Sequence, residues 1–153
     1  MKLRIIWLGK TRDPWIKEGV AEYSGRIGRY LPLVIDELKD EKDAPLEEGR
    51  RREGERLLKQ LSPNAVLVAL DERGQQMDSV KFADFIGKHR DSGTTELVFA
   101  IGGSYGFSDE VRARAAKVLA LSAMTFTHQM VRPFLLEQIY RACTILNNEP
   151  YHH

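Results

Sequence analysis

Short apolar runs alternate with segments of helical periodicity along this chain. The runs cover residues 3–8, 33–38, 65–70 and 96–101, and each is followed by apolar residues at helical spacing. The run at 65–70 contains no polar residue, which predicts a parallel strand covered on both faces. This alternation predicts a single α/β domain whose mainly parallel sheet is flanked by helices and joined by right-handed crossovers.

The predicted helices begin at residues suited to capping. Asp13 precedes Pro14, a proline at the first helical position, and Ser108 precedes the acidic residues Asp109 and Glu110. Between the strand at 65–70 and the next helix, the polar stretch with one glycine predicts a turn. The predicted helices cover residues 14–30, 46–61, 79–90, from 108 onward, and 128–146.

The last third of the chain departs from this rhythm. Residues 121–126 are apolar and uncharged, which predicts either another buried strand or a loop folded into the core. In the helix at 128–146, apolar residues cover most of the circumference. Such a helix is either central in its own domain or in contact with a second subunit.

Composition limits the class of protein. The chain has 153 residues, 42% of them hydrophobic, enough for one domain over residues 1–153 with one core. No apolar stretch is long enough to cross a bilayer and no cleavage site follows the N-terminus, so a soluble cytoplasmic protein is expected. Cys143, the only cysteine, is predicted to be a core thiol, and no Cys/His cluster predicts a metal site.

The charged residues are nearly balanced over the chain but cluster locally. The formal net charge is +1, so any contact with nucleic acid must come from local patches. Residues 50–56 include four arginines among several glutamates, which favours a solvated face over an RNA groove. Gly54 predicts a weak helix there, and the charged segment 39–43 is predicted to be a mobile loop.

A strand at residues 96–101 leads into the glycine turn 102–106 and then into a helix. Ligands bind at this junction in α/β sheets, and Gly102 and Gly103 allow either a close backbone approach or a turn at positive φ. The spacing matches neither a Walker loop nor a dinucleotide fingerprint. It does match G-x-S-x-G, so a serine hydrolase with Ser104 as nucleophile is one hypothesis, although the chain is short for that fold.

Six stretches of the chain carry a family likeness: residues 9–10, 53–55, 97–106, 121–130, 137–142 and 150–153. Together they resemble the ribosomal large-subunit pseudouridine methyltransferase H family, which is part of the SPOUT methyltransferases. The likeness spans essentially the whole chain in the family's order and spacing.

The resemblance implies a C-terminal trefoil knot, which general topology rules would reject. It also implies S-adenosylmethionine as cofactor, a homodimer, and methylation of N3 of a pseudouridine in a stem-loop of 23S rRNA on the assembled ribosome. Without phosphates, this cofactor needs an apolar slot and close backbone groups. The implied cofactor-binding residues are Leu70, Gly102, Gly103, Leu121, Ser122, Ala123, Met124, Thr125 and Phe126.

The candidate catalytic residues are Tyr151, His152, His128 and Arg132. An aromatic ring can stack on an unpaired base and a histidine can titrate near neutral pH, and the resemblance implies that this tail reaches the partner's cofactor site. His128 and Arg132 are one helical turn apart, so they either face one site or serve as a capping histidine and a surface arginine.

Three positions depart from the family pattern. The family usually has proline where this chain has Thr127, an aliphatic residue at Pro133, and a basic residue at His153. Pro133 predicts that the last helix begins later than in the relatives, because proline is tolerated only near a first turn. A non-catalytic ribosome-binding factor on the same fold is a further hypothesis.

Overall fold

The computed structural model describes all residues 1–153. Its core is a five-stranded sheet in the order β2-β1-β4-β3-β5, in which every neighbouring pair is parallel. The predicted α/β class with a parallel sheet is therefore confirmed. The strands are Lys2–Leu8 (β1), Leu33–Leu38 (β2), Val66–Gln76 (β3), Glu96–Ile101 (β4) and Lys117–Ala120 (β5).

Five helices cover the two faces of the sheet. They are Pro14–Ile27 (α1), Leu46–Lys59 (α2), Ser79–Asp91 (α3), Asp109–Arg114 (α4) and Val131–Leu146 (α5). Helices α1, α3 and α5 pack on one face, while α2 and α4 pack on the other. No helix in the structure is both long and apolar enough to cross a bilayer.

The central strand β4 shows how the sheet divides the core. Leu97, Phe99 and Ile101 belong to the cluster beneath α1, α3 and α5, whereas Val98 and Ala100 belong to the cluster beneath α2 and α4. This is the two-residue period of a strand that is buried on both faces.

Helix α5 lies against both α1 and α3, which explains its broad apolar surface. Leu135, Leu136, Ile139 and Ala142 are buried, and Cys143 is a core thiol whose pKa is raised to about 11 by burial. The central position of the helix, one of the two interpretations of its sequence, is thus observed. Phe134 nevertheless remains 39% exposed on the same helix.

Several predicted boundaries were wrong. The turn expected after Leu70 is instead a bulge, because β3 continues to Gln76 and pairs again with β5. Gly74 permits this pairing, since a Cβ there would lie 2.6 Å from the carbonyl oxygen of Val118. Strand β5 itself was not predicted, and α4 ends at Arg114 just before it.

The last helix begins later than predicted. Helix α5 starts at Val131 rather than at residue 128, so Pro133 lies in the first turn, where its missing N–H costs no helical hydrogen bond. The preceding segment crosses the carboxyl end of β1, where the Gln129 amide donates to the carbonyl oxygen of Lys10 at 3.0 Å. The trefoil knot implied by the family resemblance stays a prediction.

The segment 39–43, predicted to be mobile, is tied to α2. The Glu41 N–H donates to the Glu53 carboxylate at 2.9 Å, and Arg56 donates to the carbonyl oxygen of Lys39 at 3.0 Å. The arginine side chains of α2 form ion pairs and hydrogen bonds within the chain, as expected for a solvated face. Arg51 and Arg52 pair with Glu48, for example.

Candidate functional site

A cavity of about 640 Å³ opens at the carboxyl ends of β3 and β4. Its floor is the glycine turn, its sides are the first residues after Leu70 and the loop 121–127, and His128 and Val131 close one end. This is the edge where parallel sheets bind ligands. We call it the glycine-turn cavity; its predicted cofactor residues are Leu70, Gly102, Gly103, Leu121, Ser122, Met124, Thr125 and Phe126.

The glycine turn is held in a defined shape. The Gly106 N–H donates to the carbonyl oxygen of Gly103 at 3.1 Å, and Gly106 has a φ of 79°, which an L side chain rarely adopts. Gly102 does not have a positive φ. Because it has no side chain, the floor of the cavity is open beside Phe107, whose ring would lie 3.5 Å from a Cβ on Gly102. The positive φ therefore occurs at Gly106 and not at Gly102 or Gly103, and the close approach of a ligand to Gly102 stays a prediction.

Tyr105 anchors this turn to α2 and to the loop before it. Its hydroxyl donates to the carbonyl oxygen of Ala44 at 3.1 Å, and Arg50 donates to the Tyr105 carbonyl oxygen at 2.6 Å. Its ring packs over Gly49, where a Cβ would lie 3.0 Å from the ring carbons. Sequence reasoning missed this contact, because α2 and the turn are far apart in the chain.

A buried carboxyl group lies beneath the turn. Glu53 is 3% exposed, and its Oε1 would be 3.3 Å from a Cβ on Gly103. Oε2 accepts from the Glu41 N–H, whereas Oε1 has no hydrogen-bond partner. Burial, with smaller contributions from Asp40 and Glu41, raises the pKa of Glu53. The family stretch 53–55 contained this residue, but nothing in the sequence indicated its position under the turn.

The loop 121–127 is not a strand, and only Leu121 packs against the core. Ala123 is exposed and does not line the glycine-turn cavity, Met124 is 74% exposed, and Phe126 is 36% exposed. Ser122 shapes the loop by accepting from the Met124 N–H at 3.0 Å. The absence of charge therefore marks an open apolar surface at the cavity, and the prediction of burial was wrong.

Charged groups at the rim of the cavity were also missed. Asp71 follows Leu70 directly and accepts from Arg112 at 2.5 Å and from the Arg73 N–H at 2.8 Å. Burial alone would raise the pKa of Asp71, but these hydrogen bonds and the arginine charges outweigh burial and lower it. Its place at the carboxyl end of an apolar strand was the available sequence signal.

His128 lies between the glycine-turn cavity and a second, polar cleft. Its Nδ1 is buried without a hydrogen-bond partner. Burial, reinforced by the charges of Arg132 and Arg12, lowers the pKa of His128, so the imidazole is neutral at neutral pH. A neutral imidazole can either donate or accept a hydrogen bond at a ligand.

Arg132 is not a surface arginine, and it does not line the cavity. Its side chain is fully buried, donating to the Leu8 carbonyl oxygen at 3.0 Å and to Thr11 Oγ1 at 2.9 Å. The guanidinium lies 4.7 Å from the Trp7 ring, and burial lowers its pKa to about 10. The structure thus separates Arg132 from the glycine-turn cavity and places it under the loop that follows β1.

The tail residues lie elsewhere within the same chain. The Tyr151 ring packs edge-on against Tyr140 at 4.7 Å, and its hydroxyl donates to Glu137 at 3.2 Å. Arg141 donates to Glu137 at 2.9 Å and lies 3.2 Å from Nδ1 of His152. The sequence predicted only a helical ion pair for Glu137 and Arg141, whereas the structure joins both to the tail.

His152 lines a separate groove between α1, α3 and α5. This groove, about 850 Å³ in volume, is mainly apolar and includes the exposed residues Trp15 and Phe134. Leu121 and Phe126 line both the groove and the glycine-turn cavity, so the loop 121–127 separates them. We call this the helix groove.

Ser104 does not have the surroundings of a hydrolase nucleophile. It is exposed on the turn, makes no side-chain hydrogen bond, and helix α4 begins only at Asp109. His128 lines the same cavity, but its Nδ1 has no partner, so no acid orients it as a triad requires. No group of three or more potential metal-ligating side chains occurs in the structure.

Comparison with known proteins identifies the family of this chain. The profile of the family described as "Predicted SPOUT methyltransferase" matches residues 1–152. The chain is 94% identical over 153 residues to ribosomal RNA large subunit methyltransferase H of Trichlorobacter lovleyi, and 60% identical over 153 residues to the protein of that name in Geotalea daltonii. Each alignment covers 100% of both chains.

Solved structures show the same fold at low sequence identity. A probable methyltransferase from Bordetella pertussis aligns with a TM-score of 0.60 and 12% identity, covering 93% of this chain and 94% of that one. The SpoU methyltransferase AviRb from Streptomyces viridochromogenes, determined with AdoMet, aligns with a TM-score of 0.51 and 16% identity, covering 97% of this chain and 59% of that one. The chain belongs to the SPOUT methyltransferase family, and within it to the ribosomal RNA large subunit methyltransferase H group.

Proposed function

We propose that this protein is an S-adenosylmethionine-dependent methyltransferase that modifies N3 of a pseudouridine in a stem-loop of 23S rRNA. The main support for this proposal is the glycine-turn cavity, which lies at the carboxyl ends of the strands, where parallel sheets bind ligands. The chain is also 94% identical to a ribosomal RNA large subunit methyltransferase H. We further propose that it acts in the cytoplasm on the assembled ribosome. The weak net charge of +1 agrees with a preassembled substrate.

The cavity fits the proposed cofactor chemically. Its volume of about 640 Å³ lies within the range of cofactor sites. Leu70, Leu121 and Phe107 supply apolar walls for an adenine ring, and the floor at Gly102 lets a ligand approach the backbone. Asp71 at the rim is ionised and can accept hydrogen bonds from hydroxyl or ammonium groups. When bound, S-adenosylmethionine supplies the electrophilic methyl group.

The chain's own residues would then hold the target base. Tyr151 offers a ring for stacking, and burial together with Glu137 raises its pKa to about 12, so its phenol stays protonated at neutral pH. Because Arg141 can only donate, its contact with His152 Nδ1 makes that nitrogen the acceptor and leaves the proton on Nε2. His152 can therefore donate from Nε2 to a base carbonyl, and it could accept the N3 proton only after leaving Arg141.

A single copy of the chain does not bring the tail residues together with the predicted cofactor residues. His152 lines the helix groove and Tyr151 donates to Glu137 in its wall, whereas the predicted cofactor residues line the glycine-turn cavity on the other side of the loop 121–127. We infer that a second copy covers the helix groove and brings its own tail to the loop. The apolar surface of the groove supports this, because Trp15 is 57% exposed and Phe134 is 39% exposed there.

Calorimetric titration tests the central proposal. S-adenosylmethionine and its demethylated product should both bind the wild-type protein, whereas Gly102→Trp should not bind them because the indole fills the floor of the cavity. Ser62→Ala, a change at an exposed position before β3 and outside the cavity, serves as control. Absence of binding at millimolar cofactor would exclude the enzyme and favour a non-catalytic ribosome-binding factor.

A further inference from the structure

A second cleft adjoins the glycine-turn cavity at the carboxyl ends of β1 and β2. Its volume is about 710 Å³, and its walls are the loops 9–12 and 39–42. His128 lines both this cleft and the glycine-turn cavity, so the two spaces meet at the imidazole. We call it the basic cleft.

Four cationic side chains line the basic cleft. Lys10, Arg12, Lys39 and Lys42 are all exposed, and none forms a side-chain hydrogen bond or ion pair within the chain. This differs from the arginines of α2, whose charges are offset by neighbouring glutamates. The cations of the basic cleft are therefore available to an external anion.

The carboxylates of the cleft are mostly committed elsewhere. Glu37 accepts from the Trp7 indole at 3.1 Å and from the Thr11 hydroxyl at 3.0 Å. Glu41 pairs with Arg56 at 2.5 Å. Asp40 alone has no partner, and it is half-buried beside Gly9. The neutral partners of Glu37 leave its charge in place, so the four unpaired cations of the cleft outnumber the two carboxylates without an ion pair, Glu37 and Asp40.

Hydrogen bonds hold both loops in place. Gln129 accepts from the Arg12 N–H at 3.1 Å and donates to the carbonyl oxygen of Lys10, while the buried Arg132 donates to Thr11. On the other wall, Arg56 donates to the carbonyl oxygen of Lys39. Because the loops are already ordered, a ligand pays little backbone entropy when it binds here.

We propose that the basic cleft binds the phosphate backbone of the RNA strand next to the target nucleotide, which enters the cofactor cavity past His128. The partner chemistry is that of a phosphodiester chain, because four unpaired cations on an ordered wall attract a polyanion. The buried, unpartnered Nδ1 of His128 lies where the strand would pass between the two spaces. This inference rests on the proposed function and assigns a further site for the same substrate.

The test is a triple variant, Lys10→Gln, Lys39→Gln and Lys42→Gln, examined by cosedimentation with ribosomes over a range of salt concentrations. Loss of three phosphate contacts should weaken binding on the order of tenfold to a hundredfold at physiological salt. The slope of log affinity against log salt should fall by about 2, since single-stranded contacts contribute about 0.7 each. Affinity for S-adenosylmethionine, measured separately, should not change.

The matched control removes three positive charges near the opposite, amino-terminal ends of the strands. Arg29, Lys59 and Lys88 are exposed near the ends of α1, α2 and α3, far from the cleft, so their replacement by Gln should leave binding within about twofold. Replacing the three cleft lysines with Arg should retain binding.

Equal weakening by the cleft and control variants would overturn the proposal, as would unchanged binding by the cleft variant. Unchanged affinity for the isolated stem-loop RNA combined with weaker ribosome binding would assign the cleft to an acidic protein segment and would also overturn it. The proposed function fails separately, if the wild-type protein neither binds S-adenosylmethionine nor methylates ribosomes.

Discussion

Ser104 illustrates how one residue can match a motif without its chemistry. It is exposed on the glycine turn and makes no side-chain hydrogen bond. Ser104→Ala should therefore retain most methyl transfer, and the wild type should hydrolyse no activated ester above background. A true triad nucleophile would lose several orders of magnitude of activity on this change. Burst release of an ester product from the wild type, abolished in the variant, would contradict the assignment.

Glu53 predicts a pH dependence of stability. Its folded pKa is raised above the ordinary value of 4.5, so the folded state binds a proton more tightly than the unfolded state. Its stabilising contribution is fully present below about pH 4.5 and declines as pH rises through the folded pKa. Glu53→Gln removes this decline, so the variant should gain stability relative to wild type as the pH rises from acidic to neutral.

Urea unfolding at several pH values measures this difference. The comparison variant is Glu55→Gln, because Glu55 is exposed on the same helix and should show a nearly constant difference from wild type. A wild-type stability that rises relative to Glu53→Gln as pH increases would show that the buried carboxyl is ionised and stabilising.

At the scale of elements, Gly54 fits α2 against α4. A Cβ at Gly54 would lie 2.5 Å from Ser108 Oγ, the oxygen that caps α4 by accepting from the Val111 N–H. Gly54→Ala should therefore destabilise the protein by about 1–3 kcal/mol despite better helix propensity. Gly25→Ala, in α1 with nothing within 4 Å of its Cβ, should instead stabilise by about 0.5–1 kcal/mol. Thermal unfolding of both variants measures the contrast.

At the scale of the whole molecule, the helix groove predicts a dimer. Phe134→Asp should dissociate the dimer without unfolding the chain, since the side chain is 39% exposed. Ile139 would be a poor probe because it is fully buried, so a charge there would unfold the domain. Leu46→Asp, at a 50% exposed position at the start of α2, is the control. Light scattering that shows an active wild-type monomer would refute the dimer.

The tail should act across that dimer. Deleting residues 151–153 should leave cofactor affinity nearly unchanged but lower methyl transfer to ribosomes at least about a hundredfold, within the usual range for one proton-transfer group. Deleting only the exposed His153 should have little effect. Mixing the truncated protein with Gly102→Trp should restore partial activity, because one subunit supplies an intact cavity and the other an intact tail. Full activity of the truncated protein would shift attention to His128.

The sequence by itself determined the class of fold and indicated the cavity that we propose as the cofactor site. Apolar runs, capping residues and the glycine turn are local signals, so the strands β1, β2 and β4, the Ser108 cap and the turn after β4 could all be predicted. The family likeness added the predicted cofactor residues, most of which lie around one cavity. These predictions depend on residues that are close together in the chain.

Only the tertiary structure decided which distant residues meet. The continuation of β3 depends on pairing with β5, and the buried Arg132 donates to Leu8 and Thr11, which are more than 120 residues away in the chain. The loop 121–127 looked like core because it lacks charge, yet it lies on the surface between two cavities. Burial and partnership are properties of packing between elements, and a periodic pattern along one element does not contain them.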